Sequence, residues 1–198
     1  VEFLVCSKAI PVCQMAKSGR ITNAEIRDGK RMAFCDKCIA RGKEHLSPLG
    51  YPVRRLVDYL DAADIAAAVS QAQAVPYSEI AEFKLDGLSV GDHAKAGALR
   101  FFARGDLENE ELGEAVLRRY LEAGLLSIAA MRKLIADRKY DVIVVNHGIY
   151  IPQGMIVEVA QREGVRVVTY NPAYRKHCFV FSHNHSYHFT MLEEPREH

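Results

Sequence analysis

No stretch of this chain is apolar for the roughly 18 to 20 residues that a helix needs to cross a bilayer. Its charge is almost balanced, with 26 Lys and Arg against 25 Asp and Glu, and it has no long basic run. This balance argues against a nucleic-acid-binding protein, which needs a concentrated positive surface. Residues 1–5 read as a short strand without the basic flank and cleavage site of a signal peptide. We therefore expect a cytoplasmic protein with no nucleic-acid partner.

The motifs of several common enzyme classes are also missing. The sequence has no Gly-x-Gly-x-x-Gly fingerprint, no Walker loop and no Gly-x-Ser-x-Gly elbow. Dinucleotide oxidoreductases, nucleoside triphosphatases and α/β-hydrolases therefore lose support.

Residues 140–177 carry the clearest pattern. The β-branched run at 141–145 predicts a buried strand, residues 155–163 predict an amphipathic helix, and residues 165–170 predict a second strand. Together they form a βαβ unit in which each strand ends in a polar loop. Open α/β sheets bind small molecules at the carboxyl ends of their strands, so both loops are candidate ligand-binding segments.

The first of these loops contains four candidate ligand-contacting residues, Asn146, His147, Tyr150 and Gln153. His147 directly follows the predicted strand, and an imidazole that titrates near neutral pH suits a general base. The helix that begins near Gln153 would direct its amide groups at an anion. A polar turn that bonds its own backbone remains the alternative.

The second loop contains Asn171, Tyr174, Arg175, Lys176 and His177. Two adjacent cations beside an aromatic ring suit a phosphate, a pyrophosphate or an acidic sugar, and a solvated surface turn is the alternative. His183 lies in a histidine-rich segment without a neighbouring carboxylate. We expect His183 to line the cleft rather than to ligate a metal.

Four of the five cysteines lie in the first 38 residues, at Cys6, Cys13, Cys35 and Cys38. Four thiolates are enough for tetrahedral zinc or an iron–sulfur cluster, and the Cys-x-x-Cys pair lets two of them meet one ion. We expect a structural metal site here. Redox exchange and simple burial of the thiols remain open as alternatives.

The chain is expected to form one Rossmann-like α/β domain over residues 1–198, with a mostly parallel sheet and helices on both faces. Its parts are a cysteine-containing segment at 1–50, a mostly helical region at 51–139, a βαβ core at 140–192 and a linker or tail at 193–198. Within the helical region, periodicity predicts helices over 93–104 and 109–139, the second capped by Asp106 or Asn109.

Residues 141–154, 169–176 and 179–183 resemble bacterial capsular or surface polysaccharide biosynthesis proteins of glycosyltransferase type. The early cysteines and the Gly105-Asp106-Leu107 segment before a long helix are similar to the same group. The resemblance implies a two-lobe Rossmann architecture, of which this chain is the N-terminal, acceptor-side lobe. By itself the lobe should not transfer sugar, because the C-terminal lobe holds the nucleotide-sugar donor.

The resemblance also assigns roles to residues and partners. Asn146, His147, Tyr150, Asn171, Tyr174, Arg175 and Lys176 would line the cleft between the lobes. His147 would deprotonate an acceptor hydroxyl, and Arg175 with Lys176 would balance phosphate charge. The expected partners are a saccharide or lipid-linked saccharide acceptor and the donor lobe, with peripheral association at the inner membrane face. The alternative is a non-catalytic, metal-binding α/β module that binds a ligand or another protein.

Overall fold

Five strands and seven helices are found in the part of the chain that the computed structural model describes, residues 1–16, 21–28 and 34–185. The strands are β1 (Phe3–Val5), β2 (Val53–Arg55), β3 (Val142–Asn146), β4 (Arg166–Pro172) and β5 (Phe179–His183). The helices are α1 (Asn23–Arg27), α2 (Phe34–Leu46), α3 (Ala62–Ala74), α4 (Tyr77–Ile80), α5 (Val90–Phe102), α6 (Gly113–Asp137) and α7 (Gln153–Arg162).

The strands form two small sheets. In the first, β1 pairs in parallel with β2. In the second, β3 and β4 pair in parallel and are connected by α7, and β5 pairs antiparallel to β4. The structure thus confirms the mixed α/β class and the predicted βαβ unit. The antiparallel direction of β5 makes the second sheet mixed, because the six residues between β4 and β5 form a hairpin connection rather than a crossover.

Helix α6 lies at the centre of the hydrophobic core. Apolar side chains cover most of its circumference, and Tyr120, Leu121, Ile128 and Met131 are all buried. It packs against α3, α5 and α7, so its apolar surface is used inside the domain.

The start of α6 differs from the expected cap. Asp106 Oδ1 accepts a hydrogen bond from the amide of Glu108 at 3.0 Å, in a turn that precedes the helix. The helix then begins at Gly113, and no side chain caps it. Asp106 therefore stabilises the connection between α5 and α6 instead of the helix end.

Tertiary pairing also changes the regions around β1 and β2. Residues 8–16, within the cysteine-containing segment, form turns, and Ser7 and Lys8 both have positive φ angles. Residues 53–55 pair with β1 as a strand, although they lie in the region that was expected to be mostly helical. The first α-helix of that region is α3, where Asp61 accepts hydrogen bonds from the amides of Ala63 and Asp64.

The two faces of the second sheet have different surroundings. Val167 and Thr169 are buried on the face that α7 covers, whereas Val144, Phe179 and Phe181 on the other face are more than half exposed. The last part of the expected core, 186–192, and the linker or tail at 193–198 lie outside the described residues. None of the described helices has the length and apolar character needed to pass through a lipid bilayer.

Candidate functional site

The loops that follow β1 and β3 meet at Gln14. The amide of Gln14 donates to the carbonyl of Ile151 at 3.1 Å, and its own carbonyl accepts from Arg100 Nε at 3.2 Å. Its side-chain oxygen lies 2.5 Å from His147 Nε2. Gln14 therefore joins the β1 loop, the β3 loop and the end of α5 at the carboxyl edge of the strands, and we call this cluster the Gln14 junction.

His147 is buried within this junction, with 7% of its surface exposed. The amide of Ile149 donates to His147 Nδ1 at 3.1 Å, so Nδ1 must be the nitrogen without a proton in the neutral ring. The protonated Nε2 then donates to the Gln14 side chain. Both nitrogens are engaged, which makes His147 a group that ties the two loops together. As a general base, it would first have to release the contacts that fix its tautomer.

Arg100 and Tyr150 form the outer side of the junction. The guanidinium carbon of Arg100 lies 4.9 Å from the centre of the Tyr150 ring, a cation–π arrangement. The Tyr150 ring meets the His147 ring edge-on, with 5.0 Å between their centres. Tyr150 therefore lies in the loop at the carboxyl end of β3, and Arg100 contacts it from a helix that carried no predicted site residue.

A partly buried ion pair contacts the β3 loop. His93 Nε2 lies 3.0 Å from Glu158 Oε1, and His93 Nδ1 lies 2.5 Å from the carbonyl oxygen of Ile149. Both partners accept hydrogen bonds, so both ring nitrogens must donate, and the ring is an imidazolium. Glu158 also accepts from the amide of Ser89 at 2.6 Å. The pair thus connects α5, α7 and the β3 loop.

Electrostatics agree with that protonation state. Burial by itself would lower the pKa of His93, but its hydrogen bonds to Glu158 and Ile149 and the charges of Glu158 and Asp92 outweigh burial and raise the pKa. Burial would likewise raise the pKa of Glu158, yet the hydrogen bonds from His93 and Ser89 lower it. Each partner therefore favours the charged form of the other.

Two glycines permit this packing. A β-carbon on Gly154 would lie 2.2 Å from His93 Nδ1, so only glycine leaves room for the imidazolium beside α7. A β-carbon on Gly148, whose φ is +71°, would lie 2.9 Å from a methyl carbon of Val157 and 3.1 Å from that of Thr169. Gly148 therefore marks a point of close approach between the loop, α7 and β4.

Gln153 and Asn171 continue from that point toward the edge. Gln153 lies one helical turn before Val157, about 6 Å along α7, and Asn171 lies two residues beyond Thr169, about 7 Å along β4. Because α7 runs against the strand direction, both steps lead to the carboxyl edge. Gln153 Oε1 and Asn171 Nδ2 are buried and have no hydrogen-bond partner among the described residues. The edge thus presents one unused acceptor and one unused donor.

The other predicted residues are less closely tied to this edge. Asn146 Nδ2 donates to the carbonyl of Tyr170 at 2.9 Å and so links β3 to β4. Tyr174 is 94% exposed and Arg175 extends over its ring, with 5.7 Å between guanidinium carbon and ring centre. Lys176 is also exposed in this hairpin turn. The predicted cations therefore lie on a solvated turn beside the edge.

His183 lies away from the edge. It pairs with Val168, whereas the edge end of β4, Pro172, pairs with Phe179 at the other end of β5. Four strand residues separate the two positions, which is about 13 Å. The antiparallel direction of β5 thus places His183 far from the residues that it was expected to join.

The four N-terminal cysteines are free thiols. Among the described residues, no three His, Cys, Asp or Glu side chains are arranged so that they could hold a metal ion. Burial raises the pKa of the Cys13 thiol to about 12, with smaller contributions from nearby Cys6 and Cys35, while Cys38 is exposed. The expected zinc or iron–sulfur site at these four cysteines stays a prediction.

Sequence reasoning missed Gln14, Arg100, His93 and Glu158. Arg100 lies in the last turn of a helix, where a cation is ordinary because it complements the helix dipole. His93 and Glu158 are 65 positions apart, so only the fold brings them together. The one local sign was Gly154, a glycine in the first turn of α7, where it leaves room for another group to approach the helix closely.

Comparisons with models of protein families, with curated proteins and with solved structures found no match for this chain.

Proposed function

We propose that this chain is the N-terminal, acceptor-side domain of a glycosyltransferase that acts in capsule or surface polysaccharide biosynthesis. In this proposal the domain is a Rossmann-like lobe, and its carboxyl edge holds a saccharide or lipid-linked saccharide acceptor. A C-terminal lobe of the same protein binds the nucleotide sugar. The sequence resemblance supplies the reaction class, and the edge built by the β1, β3 and β4 loops supplies the binding site.

The observation that carries the proposal is the pair of unused amide atoms at this edge. Gln153 Oε1 can only accept a hydrogen bond, and Asn171 Nδ2 can only donate one. Sugar hydroxyls both donate and accept, so a saccharide is the simplest ligand that could satisfy the two atoms. Leaving a buried polar atom unpaired costs roughly 1 to 3 kcal/mol, and this cost is recovered when a hydroxyl enters.

The remaining residues have supporting roles in this proposal. Tyr150 provides a ring beside the acceptor, and Asn146 keeps β3 and β4 together beneath it. Arg175 and Lys176 on the adjacent turn attract a phosphate group. For His147 to accept the proton of the acceptor hydroxyl, Nε2 must first release Gln14 and contact that hydroxyl instead. The ring must also change tautomer, so that Nε2 no longer carries a proton.

A titration of the isotope-labelled chain with neutral mono- and disaccharides tests acceptor binding by NMR. We expect chemical-shift changes at residues 146–153 and at Asn171. Asn171→Ala should weaken binding about fivefold, the value of one neutral hydrogen bond. Gln73→Ala, which removes an exposed amide on α3, serves as the matched control and should leave the affinity unchanged.

The alternative is a module that contacts another protein without turnover. The exposed apolar side chains of Val144, Phe179 and Phe181 favour it, because clustered apolar surface often marks a contact region. Saccharides that leave residues 146–153 and Asn171 unaffected would contradict acceptor binding and support this alternative.

A further inference from the structure

Arg100 is held in place from two sides at the Gln14 junction. Its Nε donates to the Gln14 carbonyl at 3.2 Å, and its guanidinium carbon lies 4.9 Å from the centre of the Tyr150 ring. These two contacts hold the guanidinium group between the Gln14 carbonyl and the Tyr150 ring. Arg100 is nevertheless exposed to solvent.

The two terminal nitrogens of Arg100 remain available. Among the described residues, no carboxylate pairs with Arg100, and no acceptor bonds its Nη1 or Nη2. Arg104, two residues beyond the end of α5, differs because its Nε pairs with Glu110 at 2.9 Å. A cation that only complements the helix dipole would need no such anchoring. Arg100 therefore presents a pre-oriented fork of unpaired N–H groups.

We propose that Arg100 binds a phosphate group at the carboxyl edge. The terminal guanidinium N–H groups match two phosphate oxygens in parallel, and such charge-assisted pairs are the strongest hydrogen bonds in proteins. Arg100 Nε already donates to Gln14, and the guanidinium group already contacts the Tyr150 ring. Arg100 therefore loses little side-chain entropy when the anion binds. The anchored Arg100 is thus better suited to this role than Arg175, whose aromatic neighbour Tyr174 is itself almost fully exposed.

This inference rests on the proposed function for the rest of the ligand, which would be a phosphorylated saccharide. The phosphate could be that of a soluble sugar phosphate or that of a lipid-linked acceptor. Both present the same oxyanion to Arg100, so the phosphate is the shared chemistry and the experiment separates the two sources.

The test measures binding of glucose 1-phosphate, of inorganic phosphate and of phosphatidylcholine vesicles with and without polyprenyl phosphate. We expect Arg100→Gln to weaken phosphate-dependent binding about tenfold or more, as for a lost charge-assisted contact. Arg100→Lys keeps the charge without the fork and should give an intermediate loss. Arg104→Gln is the matched control and should change binding less than twofold, and thermal unfolding verifies that each variant is folded.

Each outcome has a distinct meaning. Arg100-dependent binding in the soluble or the vesicle arm supports the subsite and identifies the phosphate source. Equal affinity of wild type and Arg100→Gln, an equal loss in Arg104→Gln, or no binding in any arm overturns it. If glucose 1-phosphate binds no better than inorganic phosphate but both depend on Arg100, the subsite stands and the glycosyltransferase proposal loses support. If neutral saccharides bind at Asn171 but phosphate binding does not depend on Arg100, the glycosyltransferase proposal stands and the phosphate subsite is overturned.

Discussion

Replacing Glu158 by Gln should remove the negative charge that keeps His93 protonated. His93 in turn contacts the β3 loop at the carbonyl of Ile149. The His93 and Glu158 side chains are 13% and 24% exposed, so solvent screens the pair only in part. The substituted side-chain amide could still accept one hydrogen bond, but its NH₂ group would face the other donor. The loss is therefore one charge-assisted hydrogen bond, roughly 1.5 to 3 kcal/mol, below the roughly 3 to 5 kcal/mol of a fully buried broken pair.

The loss should depend on pH in a defined direction. The pKa of His93 is raised above 6.5, so its contribution to stability is complete below that value and disappears as the pH rises through the raised pKa. The pKa of Glu158 is lowered below 4.5, so its contribution is complete above that value and disappears as the pH falls through the lowered pKa. The pair therefore contributes most between pH 4.5 and 6.5.

Urea unfolding followed by circular dichroism at pH 5.5 and pH 9 measures this effect. Glu158→Gln should lose about 2.5 kcal/mol at pH 5.5, a fall of roughly 5 to 10 °C in Tm, and less than about 1 kcal/mol at pH 9. Glu163→Gln, at an exposed position just after α7, is the control and should stay within about 0.5 kcal/mol of wild type at both pH values. An equal loss for Glu158→Gln at pH 5.5 and pH 9 would refute the assignment of a protonated His93.

Two further predictions concern glycine and cysteine positions. Gly154→Ala should cost about 3 kcal/mol in urea unfolding, because the new methyl group would overlap the His93 ring; Gly42→Ala, at an open position in α2, should instead stabilise by up to about 1 kcal/mol. Alkylation followed by mass spectrometry should modify exposed Cys38 well before Cys13, whose pKa is about 12. Simultaneous modification of the two thiols, or a stable Gly154→Ala protein, would contradict the described packing.

Local sequence patterns were sufficient to predict the βαβ unit. The β-branched residues of β3, the 3.6-residue periodicity of α7 and the apolar residues of β4 act over short distances, and the structure confirms all three elements. Patterns were less successful where pairing decides the conformation. Val53–Arg55 became a strand because it pairs with β1, and the direction of β5 follows from its hairpin connection rather than from its composition.

The candidate site divides in the same way. Tyr150, Gln153 and Asn171 could be found because they lie in the loop after β3, at the start of α7 and near the end of β4, and strand ends meet at one edge in any parallel arrangement. Arg100 and Gln14 could not be found in that way. Each is ordinary within its own segment, and their importance comes from contacts between residues 86 positions apart.

The sequence and the structure favour different cations for an anion site. The sequence favoured Arg175 and Lys176 because they are adjacent cations. The hairpin turn leaves both side chains in solvent, where isolated charges contribute little to binding. Arg100 is a single cation, yet two contacts orient it before any ligand arrives. Phosphate affinity should therefore follow Arg100 much more closely than Arg175, because orientation of the guanidinium, rather than the number of nearby cations, determines how much binding energy a phosphate gains.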